Sequence, residues 1–175
     1  QSSIQWQPYI VAFWNAVSEV LPEWKAILEW PQDTEKDKNN RFKEFKRYKS
    51  NTFAFHSITF KALNKLFCKL IPDAVKAKKD WWVKGDSKTS ANNLKDWFKS
   101  RLQPLEDFNF WLTFDSPYMH SVLRENDRRK VLTLTPATKA TNNLYSEFSS
   151  LVFKKDRFEE NGKGEVQEVK ELATV

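Results

Sequence analysis

The sequence predicts an all-α protein: a compact multi-helix domain around a long central helix, with at most one short extended segment. Three observations predict this class. Apolar residues recur at spacings of three and four along most of the chain, only 3 glycines occur in 175 residues, and the 7 prolines adjoin apolar segments of helical period. Because proline lacks an N–H that would have no partner in the first turn of a helix, prolines at such positions indicate helix starts.

The chain is long enough to bury one core, at 175 residues with 40% hydrophobic residues. We predict a single helical domain over residues 1–155 and an acidic, disordered tail over residues 156–175. The tail holds six acidic residues against three basic ones and little apolar surface. Because the whole chain has a formal net charge of +6 and the tail is −3, residues 1–155 carry +9.

Apolar spacing predicts three helices in the first half of the chain. The first two run from Pro8 to Leu21 and from Pro22 to Trp30. A single long helix follows, from about Asn40 to Ile71. Apolar residues wrap so far around this helix that we expect it to be central, with Phe60 enclosed.

The second half is predicted to hold shorter elements. Proline positions and apolar spacing give the following set: a helix from Pro72 to Trp82, a helix from Ala91 to Leu102 capped by Ser90, an extended stretch Val131 to Leu134, and a last helix from Pro136 to about Phe153.

The strongest chemical signal is positive charge on the predicted long helix. In its first half we assign four residues to a nucleic-acid site: Arg41, Lys43, Lys46 and Arg47. Lys61, Lys65 and Lys69 follow at spacings of four, which places them on one helix face. On a continuous helix they extend the line of Lys46 into a positive stripe of roughly 30 Å, comparable to about nine base pairs of duplex. A solvated helix face is the alternative interpretation; like charges at i and i+4, which destabilise an isolated helix, favour contact with nucleic acid.

A second basic group contains Arg124, Arg128 and Arg129. The guanidinium fork can bind two phosphate oxygens at once, so an arginine-rich loop suits a phosphate backbone. A plain surface turn is the alternative.

No catalytic or metal-binding pattern occurs in the sequence. Two histidines and one cysteine give no zinc spacing, and neither a glycine-rich phosphate loop nor a nucleophile motif is found. We therefore expect no enzymatic activity, no cofactor and no metal. His56 is predicted to be a hydrogen-bonded core residue, and Cys68 a small apolar filler. A lone cysteine and the absence of a roughly 20-residue apolar stretch predict a cytoplasmic protein without a membrane span.

Three groups of short motifs occur in order along the chain. They are Phe13-Trp14 with Pro22-Glu23-Trp24, then His56 with Ala62-Leu63, then Asp107-Phe108, Pro117-Tyr118 and Asn142-Asn143-Leu144. In this order they resemble the C-terminal region of the DGQHR-domain proteins, the group that includes the DndB proteins associated with DNA phosphorothioation. The resemblance runs roughly from Pro8 to Phe153. The DGQHR sequence that names the family is absent and would lie upstream of Gln1.

The resemblance implies a bacterial DNA-modification or phage-defence context. Together with the basic surface, it predicts a non-enzymatic DNA-binding or regulatory module that contacts phosphates, with duplex DNA as the favoured ligand and further proteins as partners in a larger assembly. Two alternatives remain. The chain could be a small basic helical subunit of an RNA-guided, CRISPR-type effector complex that binds RNA or single-stranded DNA, or a protein-interaction module for an acidic partner.

Overall fold

A computed structural model describes residues 6–30, 34–113, 122–126, 131–134 and 136–153. The helices are α1 (Gln7–Val20), α2 (Pro22–Leu28), α3 (Glu35–Asn51), α4 (Ser57–Lys76), α5 (Lys78–Trp81) and α6 (Ser87–Leu102), with a 3-10 turn at Gln103–Leu105. Two strands, β1 (Leu123–Asn126) and β2 (Val131–Leu134), pair in an antiparallel hairpin, and α7 covers residues 137–153. The predicted all-α class is confirmed, while the predicted tail lies outside the described residues.

Helices α1 and α6 form one side of the core. Pro8 and Pro22 lie in the first turns of α1 and α2, where the lack of an N–H group costs no helical hydrogen bond. Fully buried Phe13 of α1 meets Phe98 of α6 edge to face, with ring centres 5.5 Å apart. Such a pair of enclosed rings contributes about 0.5–1.5 kcal/mol beyond the area that it buries.

Helix α4 occupies the centre of the protein. Its inward face is fully enclosed at four positions spaced by one to four residues: Ala62, Leu63, Leu66 and Leu70. Phe67, on the flank of this face, lies 5.0 Å from the Phe13 ring of α1. A central helix is therefore present, although its bounds differ from those predicted.

The predicted single helix from Asn40 to Ile71 is wrong, because the chain breaks between α3 and α4. Thr52 is extended and forms an isolated antiparallel bridge with Trp111. The Phe53 N–H donates to the Phe110 carbonyl and the Leu112 N–H donates to the Asn51 carbonyl, both at 2.9 Å. Strand-like pairing with a distant segment thus replaces helical hydrogen bonds at a stretch of β-branched and aromatic residues.

Several side chains that were predicted to be enclosed lie at the surface. Phe60 is 37% exposed, and His56 and Cys68 are both exposed, so neither is a core residue. His56 precedes the first residue of α4, and its backbone carbonyl accepts from the Thr59 N–H. The break at Thr52 changes the helical phase, which explains why the predicted apolar face does not continue from one helix to the next.

Two helix boundaries also differ from prediction. Helix α4 continues through Pro72 and ends at Lys76, although Pro72 lacks the N–H that would donate to the Cys68 carbonyl. Helix α6 begins at Ser87, since Asp86 caps it by accepting from the Thr89 N–H at 2.9 Å. The Ser90 hydroxyl instead donates to the Asp86 carbonyl and accepts from the Val83 N–H, both at 2.8 Å.

Helix α7 closes the core on the remaining side. It buries four residues at spacings of four: Ala140, Leu144, Phe148 and Val152. The Phe148 ring lies 4.9 Å from that of Phe108, which follows α6. In the part of the chain that the structure describes, no helix is both long enough and apolar enough to cross a membrane.

Candidate nucleic-acid interface

The outward side of α4 carries a row of lysines, which we call the lysine face: Lys61, Lys65, Lys69 and Lys76. All four side chains are exposed. At 3.6 residues per turn they fall within about 80° of arc, on the side of α4 away from the buried leucines. From first to last they span about 22 Å along the helix axis.

Helix α7 runs parallel to α4 beside the lysine face. Lys65 Nζ donates to Asn142 Oδ1 at 2.6 Å, and Lys69 Nζ donates to Ser149 Oγ at 3.0 Å. Lys69 Nζ also lies 4.1 Å from the centre of the Phe153 ring. These contacts hold the ammonium groups in place along the seam between the two helices, because both ends of each lysine side chain are then fixed.

Within the described part of the chain, no ion pair neutralises the lysine face. Among the described residues, no carboxylate lies within salt-bridge distance of Lys61, Lys65, Lys69 or Lys76, and the partners of Lys65 and Lys69 are a neutral amide and a neutral hydroxyl. Four uncompensated positive charges on one side of a helix create a potential that attracts anions.

Most of the site residues predicted on α3 contact other groups of the protein. The Arg41 Nε donates to the Ile27 carbonyl at 2.8 Å and so satisfies a carbonyl near the C-terminus of α2. Arg47 pairs with Glu44, with Nη2 and Oε2 2.9 Å apart. Lys46 lies over the Phe42 ring at 4.4 Å, and Lys43 is exposed.

The structure therefore does not contain the predicted continuous stripe. Lys46 belongs to α3 and the lysine face to α4, and the extended residues between these helices end any common helical line. Of the predicted set, the structure brings Lys61, Lys65 and Lys69 together. Arg124 lies exposed on β1, opposite Thr133 of β2, while Arg128 and Arg129 lie outside the described residues.

Sequence reasoning missed two basic residues, one in the lysine face and one on α7. Lys76 follows Lys69 by seven residues, which is a helical spacing, but the prediction ended the helix at Pro72. Lys139 stands exposed in the first turn of α7. Its spacing from the α4 lysines in the sequence carries no signal, because α7 meets α4 only through tertiary packing.

Glu19 and Glu23, which lie on other helices, have shifted pKa values. Hydrogen bonds from Lys95 and Lys99 of α6, at 2.8 and 2.9 Å, lower the pKa of Glu19 on α1. Burial raises the pKa of Glu23 on α2, whose Oε2 has no hydrogen-bond partner among the described residues. Glu19 thus joins two helices, whereas Glu23 destabilises the folded state when it is ionised.

The described residues contain no group of three or more histidine, cysteine or carboxylate side chains that could hold a metal ion. Comparison with family models, with curated proteins and with solved structures finds no match to this chain. The resemblance to the DGQHR-domain proteins consequently rests on the sequence motifs alone.

Proposed function

We propose that this protein is a non-enzymatic nucleic-acid-binding module that holds backbone phosphates along the lysine face, with duplex DNA as the favoured ligand. The observation that carries the proposal is the row of Lys61, Lys65, Lys69 and Lys76, exposed on one side of α4 with no described carboxylate within salt-bridge distance. Arg124 and Lys139 add positive charge elsewhere on the described surface.

The spacing of the lysine face suits a phosphate backbone. Successive lysines at i and i+4 stand about 6 Å apart along a helix axis. Alternate phosphates of one DNA strand stand about 7 Å apart along the duplex axis. Lysine binds phosphate as a point charge and reads no base edge, so we expect binding that tolerates any sequence.

The biological setting is proposed from the sequence resemblance. DGQHR-domain and DndB-like proteins act in connection with DNA modification, which implies a bacterial DNA-modification or phage-defence role for this module in the cytoplasm. Within such a system a sequence-tolerant binder would act as a DNA-holding or regulatory part of a larger assembly, while another component performs the chemistry.

The first test compares ligands. Fluorescence anisotropy should measure the affinity of the protein for a labelled duplex, the corresponding single strand and an RNA of the same sequence, from about 50 to 200 mM salt. We expect the duplex to bind most tightly, with affinity falling by orders of magnitude over this range if six or more phosphates are contacted. Preference for RNA or single-stranded DNA would instead favour a subunit of an RNA-guided complex. Absence of salt-dependent binding to all three would overturn the proposal and favour an acidic protein partner.

The second test locates the interface on the protein. The variant K61Q/K65Q/K69Q removes three charges, and for each of these lysines that binds a phosphate the slope of log affinity against log salt should fall by roughly 0.9. A control variant, K25Q/K36Q/K38Q, removes the same charge from exposed lysines of α2 and α3. We expect a smaller slope only for the first variant. Equal slopes in the two variants would mean that net charge alone, rather than the lysine face, governs binding.

A further inference from the structure

A pocket lies where α7 begins, beside Lys61 at one end of the lysine face. It has a volume of about 340 Å³ and is lined by two lysines and by neutral residues of both helices, among them Asn64 of α4 and Thr138, Thr141 and Asn142 of α7. Neither a carboxylate nor an aromatic ring is among the described residues that line it. We call it the threonine pocket.

Thr141 supplies the observation that points to a ligand. The residue is only 5% exposed, and its hydroxyl oxygen has no hydrogen-bond partner among the described residues. An enclosed hydroxyl without a partner costs about 1–3 kcal/mol, so proteins seldom keep one without a use. The hydroxyl oxygen is enclosed, so a rotation of the Thr141 side chain would bring it to a ligand in the pocket that this residue lines.

The first turn of α7 adds donors at the same place. Its first described intrahelical bond runs from the Ala140 N–H to the Pro136 carbonyl at 3.0 Å. The N–H groups of residues 137–139 therefore precede the hydrogen-bonded part of the helix, and the positive end of the helix dipole lies there. Ala137 and Thr138 of this turn line the pocket. A helix start of this kind favours a bound anion.

The side chains around the pocket provide donors and positive charge. Lys61 and Lys65 bring two ammonium groups, and Lys65 holds Asn142 by its Oδ1, which leaves the Asn142 amide nitrogen as a donor. Hydroxyl, amide and ammonium donors without a competing carboxylate match an oxyanion with several acceptor oxygens. None of the described lining residues has a ring that could stack on a base, which favours the phosphate part of a nucleotide.

We propose that the threonine pocket is a phosphate-binding site, in which the Thr141 hydroxyl, the start of α7, Lys61 and Lys65 hold one phosphate group. The statement that this phosphate belongs to the backbone of a bound nucleic acid rests on the proposed function. The pocket fixes the register of the strand at one end of the lysine face, and the remaining lysines contact the phosphates that follow.

Inorganic phosphate tests the site itself. In an NMR titration at constant ionic strength, with chloride as the control anion, phosphate should shift the backbone amide signals of residues 137–142 in the parent protein. The variant T141V keeps the shape of the side chain and removes its hydroxyl, so the shifts should require a higher phosphate concentration. If phosphate moves these signals no more than chloride does, the site does not exist, whatever the result with DNA.

DNA binding by T141V then tests the source of the phosphate. Loss of a neutral donor to a charged group should weaken duplex binding about tenfold while leaving the salt slope unchanged, because no counterion release is lost. If T141V weakens binding equally for duplexes with 5′-hydroxyl and 5′-phosphate ends, the pocket binds a backbone phosphate. If the weakening is confined to the 5′-phosphate duplex, the pocket binds a terminal phosphate and the backbone assignment is wrong. Parent-like DNA affinity of T141V overturns the pocket's part in binding, although the lysine face would still bind DNA.

A buried-threonine control separates binding from stability. In T59V the hydroxyl that is removed donates to the Phe53 carbonyl at 2.6 Å, so this variant should unfold at a lower temperature and bind DNA as the parent does. T141V should melt at or above the parent temperature, because its methyl group replaces an unpartnered buried hydroxyl. A lower melting temperature of T141V would show that the hydroxyl has a structural partner and would contradict the proposal.

Discussion

Lys65 donates a hydrogen bond from Nζ to Asn142 Oδ1 over 2.6 Å, and this contact joins the candidate interface to the packing of α7 on α4. The two residues are 77 positions apart in the chain. A lysine in this position has two tasks, since its charge faces solvent while its donors help to hold the neighbouring helix. The contributions of Lys65 to binding and to stability can be separated only by substitutions that remove its charge and keep a hydrogen-bond donor, or remove both.

Glutamine and alanine substitutions should separate the two tasks. In K65A/K69A the donors to Asn142 and Ser149 are removed, and we expect the free energy of unfolding to fall by about 1 kcal/mol, because exposed hydrogen bonds contribute little. K65Q/K69Q keeps an amide donor at each position and should lose less. Urea unfolding of the two variants measures this difference in stability. Because both variants lose the same two charges, the slope of log affinity for DNA against log salt should fall equally in both. A larger loss of stability with glutamine than with alanine would contradict the assigned hydrogen bonds.

The pH dependence of stability should reveal the contact of Glu19 with Lys95 and Lys99. The folded protein lowers the pKa of Glu19, so the unfolded chain takes up the proton first as the pH falls. The stabilisation is therefore complete above the ordinary value of about 4.5 and is lost as the pH falls through the lower folded value. We expect E19Q to lose about 1 kcal/mol or less at pH 7, since the group is partly exposed. The gap between parent and variant should close in acid; a gap that stays constant with pH would exclude this ion pair as its cause.

Glu23 should show the opposite dependence. Burial raises its pKa, so the folded protein holds the proton more firmly than the unfolded chain, and the penalty grows as the pH rises from the unfolded value through the folded one. E23Q removes the ionised form, and we expect it to raise the free energy of unfolding at pH 7 on the order of 1 kcal/mol. Urea unfolding at pH 7 and in mild acid measures this gain, which should shrink at the lower pH. A loss of stability at pH 7 would mean that the carboxylate has a stabilising partner.

Two phenylalanines near the break between α3 and α4 should differ in their contribution to stability. Phe53 is fully buried, and its ring lies 5.3 Å from that of Phe110, whereas Phe60 is 37% exposed beside Trp24. F53A should destabilise the protein by about 3–5 kcal/mol. F60A should cost about 1–2 kcal/mol, in proportion to the smaller area that it buries. Similar losses in the two variants would contradict the described packing around Phe53.

This pair also shows where sequence reasoning succeeded and where it failed. Proline positions and apolar spacing predicted the starts of α1 and α2 within one residue and predicted α7, because those signals are local. The break at Thr52 depends on pairing with Trp111, a residue far along the chain, and no local pattern contains that information. Phe60 was predicted to be enclosed because apolar residues wrap far around the helix, but Trp14 and Trp24 cover its side of α4 only in part.

The candidate site was predictable to a similar extent. Spacings of four placed Lys61, Lys65 and Lys69 on one face, and the structure confirms that they lie together and exposed. Their neighbours on α7 were not predictable, because Asn142 and Ser149 reach the face only through packing over long sequence separations. The hydrogen bond from the partly buried Arg41 to the Ile27 carbonyl was likewise not predictable, since a charge cluster in the sequence does not show which members bind other parts of the protein.

Removal of residues 159–175 should strengthen nucleic-acid binding. This stretch has a net charge of −3, so its deletion raises the formal net charge of the chain from +6 to +9. Negative charge attached to a basic protein competes with phosphates for the positive surface, and we therefore expect a modest rise in duplex affinity and a steeper salt dependence. Anisotropy at about 50 and 200 mM salt measures both effects. A control chain in which three of the acidic residues of this stretch are replaced by their amides has the same net charge of +9 and should behave like the deletion, because the effect depends on charge rather than on length. The same affinity for all three proteins at low salt would show that this stretch does not compete for the lysine face.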